Sequence, residues 1–543
     1  MEENLEGQPG NQQRNQFLVP ILIAGALAIG VWIGTMFVPQ GIVSDPVVEN
    51  SNKFNTILEL IEDKYVDSVD HDLLIESSIE GMIKKLDPHS AYIPPQDLDF
   101  VNEQLGGKFG GVGIRFLIHD DTLVATHVLP GSPSEKAGML PGDRLIEIDD
   151  TTFTGWKITN ADVTEYLKGD PGSVVKVKVF RKGLEKDLNI TRGSIPISSI
   201  DAAIMLNKEV GFIKLNSFTQ NAANEFHSAA VQLKEKGMKK LIFDLRNNGG
   251  GFMHAATDIV DEFLPSGKLI VYTEGRKSEK QEYFSTAKGS LEDTEVIVLL
   301  NSLSASASEI VAGAIQDNDR GLIMGRRSFG KGLVQDQSEF TDGSALRLTI
   351  SRYYTPSGRS IQKPYGEDVD YNSDYYDRYE SGELMNEDSV KYDENLKFKT
   401  VAGRTVYGGG GIYPDQFVPN DTAGASFYLT SLYYASAFNH YAIRVLDTKR
   451  RSLTDFYKFK DNFNVDAIMF EDFVAYSERT LNIEADPLDI VTSRSTIKNR
   501  IKAEIARHVW QENGYYAIYL SDDMDVQEAL KAFAKGGKLL SSL

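Results

Sequence analysis

The sequence predicts a mixed α/β protein built from three or four modules, on three observations. Through the middle of the chain, branched aliphatic runs (210–215, 240–246, 296–300) alternate with stretches of helical spacing (221–236, 255–263, 309–315). At 543 residues the chain is too long for a single core. Its hydrophobic fraction of 41% is ample for packed domains and excludes a disordered chain. Two whole-chain properties exclude functions. A net charge of −21 argues against a nucleic-acid partner, because phosphate binding needs a basic surface. The absence of cysteine removes thiol catalysis, disulfides and thiolate metal sites together.

Taken in order, residues 1–16 are a short N-terminal tail and 17–38 is a run of 22 residues without a charge. At about 1.5 Å per residue a helix of that length crosses the roughly 30 Å hydrocarbon layer, so a transmembrane anchor is expected. Arg14 before the run, with Asp45 and Glu49 after it, favours a cytoplasmic N-terminus and an exported remainder. A cleaved signal peptide is the rival reading. Its candidate site, Ala24-Gly25-Ala26, falls inside the apolar run, and the length favours an uncleaved anchor. Within 50–101, Phe54, Ile57, Leu58 and Ile61, then Leu73, Leu74, Ile79 and Met82, recur at helical spacing. They predict two amphipathic helices joined near Asp67-Ser68, packing a face onto the next domain.

Residues 102–193 carry a glycine loop, Gly111-Val112-Gly113-Ile114, whose successive backbone N–H groups suit a carboxylate. A short helix at 132–138, a strand at 144–148 and an alternating strand at 174–179 follow. Embedded in that longer pattern, the segment resembles a PDZ domain. The resemblance implies that the loop holds a peptide's free C-terminus while the peptide adds as a strand to the sheet edge.

The core occupies 194–420. Its strand 240–246 ends in Asn247-Asn248-Gly249-Gly250-Gly251, where glycines let backbone approach a ligand. The strand 296–300 leads into Asn301-Ser302-Leu303-Ser304-Ala305-Ser306-Ala307-Ser308-Glu309. Those serines sit at a strand-to-helix turn, where free N–H groups and the positive helix end gather. A serine presented there has the Ala307 amide beside a developing oxyanion, although on local sequence alone the turn reads as a helix N-cap. Residues 325–332 lie one residue short of a P-loop. Gly332 stands where a Mg²⁺-ligating Ser or Thr is required and a strand follows, so nucleotide binding is rejected.

The segment 86–94, the serine-rich turn, Phe329-Gly330-Lys331-Gly332 with its lysine 25 positions after Ser306, then 346–358 and 411–415, fall in the order seen in one family. From about residue 50 to 418 the chain resembles the C-terminal processing (tail-specific) serine peptidases. The resemblance implies a core of the crotonase type and a Ser–Lys dyad. By match, Ser306 is the nucleophile, Lys331 the general base and Gln335 the residue that orients the lysine. The oxyanion hole falls to Ala307 with Gly249 and Gly250. Asp244 and Arg246 match positions expected to be structural, and the family gives His89 no catalytic role. His254 stands where relatives often carry a carboxylate, which opens a minor alternative of Ser306–His254 chemistry. No metal or cofactor is implied.

The dyad makes a demand on Lys331. A free lysine titrates near 10.4, and a general base must be brought toward roughly 7, a differential of about 4 kcal/mol. Burial achieves that if no carboxylate lies alongside. Phe329, Leu333, Val334 and neutral Gln335 fit such a pocket.

Within the core, 365–395 holds eleven acidic residues against two basic ones, with six tyrosines, and is expected to be a solvated loop. From 421 to 543 the family resemblance fades, and Ile497, Ile501, Ile505 and Val509 recur at every fourth residue, predicting a helical C-terminal extension. The expectation is therefore a membrane-anchored serine endopeptidase on the periplasmic side, processing exported polypeptides with free C-termini. A homo-oligomer or an activating adaptor is left open as a partner. The alternative is a catalytically silent or latent PDZ-bearing scaffold.

Overall fold

The computed structural model describes residues 18–36, 46–119, 121–155, 157–366 and 369–535. The aliphatic runs of the core form one six-stranded sheet, in the order Ile200–Met205, Val210–Leu215, Lys240–Asp244, Glu295–Leu300, Leu322–Gly325, Gln416–Phe417. The first pair is antiparallel and the others are parallel. Side chains alternate between two buried faces, which is why these strands read as unbroken apolar runs rather than as alternation. Leu241, Phe243, Val296, Val298 and Ile323 pack under the helices Ala222–Glu235, Met253–Asp261 and Ala307–Asp317. Ile242, Ile297, Leu299 and Met324 face the other way, onto Val526, Ala529 and Phe533 of the C-terminal helix Met524–Ala534.

A second, antiparallel sheet is centred on Ala345–Tyr354, which pairs with Ala91–Ile93, Leu333–Glu339 and Leu269–Glu274. The strand expected after Gly332 is thus present. Residues 114–119, 121–155 and 157–191 form their own antiparallel sheet, in which Ile114–His119 is an edge strand that, among the described residues, pairs only with Thr122–Val128. Its helix Asn160–Leu167 opens on a Thr159/Asp162 capping box. The strands Lys108–Gly111 and Gly193–Pro196 pair with each other and close the module at its root.

The chain divides into two compact units after Ser78. In the first lie the helices Leu18–Met36 and Pro46–Lys64, and the helix His71–Ile83 begins there. The last two match the expected pair, and Phe54, Ile57 and Leu73 are exposed. The expected anchor 17–38 is described with its side chains only over 20–32. Among the described residues no helix is long and apolar enough to cross a membrane. The tail 1–16, the ends of the expected anchor and 536–543 lie outside the described residues.

Two further segments differ in what the sequence conveyed. The extension is helical as expected, with Ile497, Ile501 and Ile505 buried in the helix Pro487–Tyr519, which breaks at Trp510 and Gln511. Tyr428, Phe438 and Tyr441 serve its own core. Glu512, after the break, pairs with Arg115 of the edge strand, and His440 Nδ1 lies 3.2 Å from His119 Nδ1. The acidic insertion 365–395 is largely exposed among its described residues, as its composition suggested, but it also forms the short helix Asp374–Glu380 and is anchored to the core. Arg378 is buried and donates to the carbonyls of Arg327, Ser328 and Phe329, while Arg327 pairs with Glu383. Those contacts anchor the segment to the core, while Asp377, Glu380, Glu387, Asp388, Asp393 and Glu394 stay exposed to water.

Candidate active site

Three loops leave the carboxyl ends of neighbouring parallel strands: 245–252, 301–306 and 326–332. That edge of an open α/β sheet is where loops from separate strands converge on a ligand. The middle loop ends on Ser306, which initiates the helix Ala307–Asp317 with φ 56° and ψ −114°. A non-glycine residue in that region costs on the order of 1–3 kcal/mol and persists only where its surroundings enforce it.

Glu309 is foremost among those surroundings. Its side chain is fully buried, and Oε1 accepts from Ser328 Oγ at 2.5 Å and Gly330 N at 2.7 Å. Oε2 accepts from Ser306 N and from Lys331 N, each at 2.8 Å. Burial pushes the Glu309 carboxyl up to about 7, against the pull of those four hydrogen bonds. Because all four partners are donors, the ionised carboxylate is the form this arrangement suits. Tyr353, also buried, places its hydroxyl 3.0 Å from Ser306 O and 2.6 Å from Lys331 O. Burial raises its pKa well above the ordinary phenol range, so the single proton stays available to be shared between the two carbonyls. The backbones of Ser306 and Lys331 are thereby joined twice, once through N–H groups and once through carbonyls.

The loop 245–252 closes over the same turn. Ala305 N and Ser308 Oγ both donate to Asn248 O, at 3.0 and 2.9 Å. Gly250, with φ 104°, leaves no room for a side chain: a Cβ there would lie 2.8 Å from Ser306 Cβ and 3.0 Å from Ala307 N. Gly250 N already donates to Asn248 Oδ1 at 2.9 Å, so its amide is not open to a ligand. Among the described residues, the N–H groups of Ala307 and Gly249 have no acceptor.

Lys331 is half-buried, and among the described residues its Nζ makes no hydrogen bond or ion pair. Burial and the nearby Arg347 lower its pKa, opposed by Glu309 and Asp87. Gln335 Nε2 lies 3.3 Å from Thr349 Oγ1, which donates to Asp87 Oδ1 at 3.1 Å. Asp87 in turn accepts from Ser90 Oγ at 2.6 Å. His89 sits beside this group, its Nε2 2.8 Å from Tyr371 Oη. Burial, then Lys331, push its pKa down to about 4, and Asp87 opposes them. His254 is exposed and lies against Phe252, with ring centroids 5.1 Å apart. No described contact joins it to Ser306 or Lys331.

In the Gly111–Ile114 loop, Val112 O and Gly113 O accept from Ser134 N and Leu129 N. The N–H groups of Val112 and Gly113 have no acceptor among the described residues. Gly113 has φ 78°, and a Cβ on it would meet Ser132 Cβ at 2.5 Å.

Glu309 and Tyr353 were not singled out in the sequence. The signal for Glu309 was available: it is an acidic residue three positions after Ser306, in a helix otherwise rich in apolar residues. Nothing local marks Tyr353. A cavity of about 690 Å³, lined among others by Arg115, His127, Asp201, Arg507 and Glu512, lies away from the three loops and contains none of their residues.

Comparison with known proteins bears on this geometry. The sequence pattern of peptidase family S41 matches residues 209–372 and that of a PDZ domain matches 124–181. The activating protease CtpB N-terminal domain matches 39–96, and a family of unknown function matches 428–511. A carboxy-terminal-processing protease of Bartonella bacilliformis is 36% identical over 317 residues, 57% of this chain and 72% of that protein. A probable CtpA-like serine protease of Staphylococcus aureus is 33% identical, over 58% of this chain and 62% of that protein. The carboxy-terminal processing protease CtpB of Bacillus subtilis is 30% identical over 400 residues, 70% of this chain and 82% of that protein.

Proposed function

Because the chain belongs to the carboxy-terminal processing proteases of peptidase family S41, we propose that it is a serine endopeptidase working through Ser306 and Lys331. The observation that carries the reading is the shared carboxylate oxygen, Glu309 Oε2, which accepts from the backbone N–H of both residues. In this reading Ser306 Oγ attacks the peptide carbonyl and the neutral Lys331 amine takes its proton, later returning it to the leaving amine. The N–H groups of Ala307 and Gly249 stabilise the oxyanion, and water hydrolyses the acyl-enzyme. In this reading Gln335, whose amide nitrogen lies near Thr349, orients the lysine amine during turnover without restoring its charge. What supports Lys331 as base is its burial without an ion-pair partner, together with the lowered pKa. What supports it over His254 is the exposure of that imidazole.

Substrates are polypeptides with free C-termini, held by the Val112 and Gly113 N–H groups while the chain adds to the edge strand Ile114–His119. Attachment to a membrane through 17–38, with the peptidase on the exported side, belongs to the same proposal and is supported by the uncharged sequence of that run. A core of the crotonase type belongs to it as well.

The test compares the full chain with its Ser306→Ala and Lys331→Ala variants on an unfolded protein with an apolar C-terminus, free or amidated. Both variants are expected to lose at least about 10²–10⁴-fold in cleavage rate. Amidation is expected to slow the wild-type protein. Cleavage that survives Lys331→Ala and is lost in His254→Ala overturns the base assignment. A wild-type chain that binds the free C-terminus without cutting leads to the scaffold reading instead.

A further inference from the structure

The two loops that flank Ser306 each carry a mostly buried arginine at or next to their first residue. In 245–252 it is Arg246: its Nε and Nη2 form a two-point pair with Asp244 at 2.9 and 2.7 Å. Its Nη1 reaches Asp523 Oδ1 at 2.9 Å and Asp525 Oδ2 at 2.7 Å. Arg326 opens 326–332: its Nη1 lies 2.6 Å from Asp525 Oδ1 and 3.1 Å from Val418 O. One carboxylate, that of Asp525, therefore bridges both arginines. Its side chain is 7% exposed, against 13% for Arg246 and 8% for Arg326.

The strands that carry these arginines lie on either side of Glu295–Leu300, the strand that delivers Ser306. The Asp525 bridge thus crosses over the nucleophile's strand and links the loop of Gly249 to the loop of Lys331. Asp525 does not belong to the core. It lies in the first turn of the helix Met524–Ala534, whose Val526, Ala529 and Phe533 pack on the far face of the sheet. Asp523 caps that helix by accepting from Val526 N at 3.0 Å. Without Asp525, Arg326 has no carboxylate partner among the described residues, and a mostly buried cation left unpaired forces its surroundings to move.

We propose that Asp525 of the C-terminal extension is a positioning residue of the peptidase site, setting the separation of the oxyanion loop and the lysine loop through Arg246 and Arg326. The inference rests on the reading of Ser306 and Lys331 given above. It assigns the end of the extension a part in the reaction rather than a separate binding task.

The test uses the full chain, its Asp525→Asn variant and a control, Asp522→Asn, which removes the same charge from an exposed neighbour. Sites are counted with a serine-directed phosphonate, and turnover is expressed per titrated site. Asp525→Asn is expected to lower kcat per titrated site by about 100-fold, the scale of a misplacement of about 1 Å, with KM changed less than about threefold. Amide hydrogen exchange is expected to quicken in both 245–252 and 326–332, Asp525→Glu to restore part of the rate, and Asp522→Asn to behave as wild type. A variant with fewer titrated sites or a lower melting temperature, but an unchanged rate per site, overturns the proposal, as does unchanged exchange in the two loops. If the wild-type chain shows no Ser306-dependent cleavage, the reading of the site fails, and exchange still decides whether Asp525 holds the loops. Should Asp525→Asn not fold, Arg326→Met removes one end of the bridge without stranding a cation. It is expected to quicken exchange in 326–332 and slow turnover, and the absence of both overturns the proposal.

Discussion

Glu309 and Lys331 are the ionisable side chains on which the proposed chemistry depends, and burial moves them in opposite directions. Glu309 is raised to about 7 and Lys331 is lowered from the ordinary lysine range. The proposed mechanism needs the carboxylate of one, to accept from Ser306 N and Lys331 N, and the free amine of the other. Both requirements fail on acidification, so kcat/KM is predicted to fall as the pH drops through about 7, by about tenfold per pH unit for each of the two groups being protonated there. A pH–rate profile flat through that range contradicts the assignment. The same shifts cost stability. A raised Glu309 contributes stability below its unfolded pKa that is lost as pH rises through about 7. A lowered Lys331 contributes stability above its unfolded pKa that is lost as pH falls through the folded one. At neutral pH each charged form therefore weighs against folding. Lys331→Met is predicted to abolish cleavage while raising the melting temperature at pH 7, and a lower melting temperature contradicts it.

Among the elements, the acidic insertion is largely exposed, as its composition implied, yet it carries contacts that composition could not reveal. Arg378 donates to three successive carbonyls of the segment that leads into Lys331. Lys363 Nζ sits 4.0 Å from the ring centroids of both Phe329 and Tyr371. The insertion is thus a brace on the lysine loop. Arg378→Ala leaves those carbonyls without their donor and is predicted to destabilise the protein by about 1–3 kcal/mol, measured by urea unfolding. It is also expected to lower kcat more than it raises KM. A change within about 0.5 kcal/mol, the range of an ordinary surface substitution, contradicts the brace. Composition could not show this, because a count of charges within a segment says nothing of partners outside it.

In the molecule as a whole, the extension covers the second face of the central sheet. Phe533 is 5% exposed among Ile242, Ile297, Leu299 and Met324. Phe533→Ala is predicted to cost about 3–5 kcal/mol in urea unfolding, and a loss under about 1 kcal/mol contradicts the packing. A chain ending at residue 420 exposes that apolar face and is expected to be insoluble. The sequence reading ended the family resemblance near 420 and treated the rest as an addition. In space its last helix, Met524–Ala534, packs against the central sheet, while the rest has a core of its own.

What the sequence by itself determined is whatever depends on neighbours along the chain. The strand–helix alternation, the glycine loop 111–114, the serine-rich turn and the strand after Gly332 each follow from side-chain period or from local backbone freedom, and each is found where it was read. The tertiary structure alone decided which amide is open, since Gly250 N is occupied by Asn248 Oδ1 and Gly249 N is not. It also decided that Glu309 and Tyr353 join Ser306 to Lys331, and that Asp525 pairs with arginines 279 and 199 positions away. Burial, ion pairing and the pKa shifts they produce are functions of distance through space. Residues so far apart in the chain acquire that distance only when the sheet brings its strands side by side.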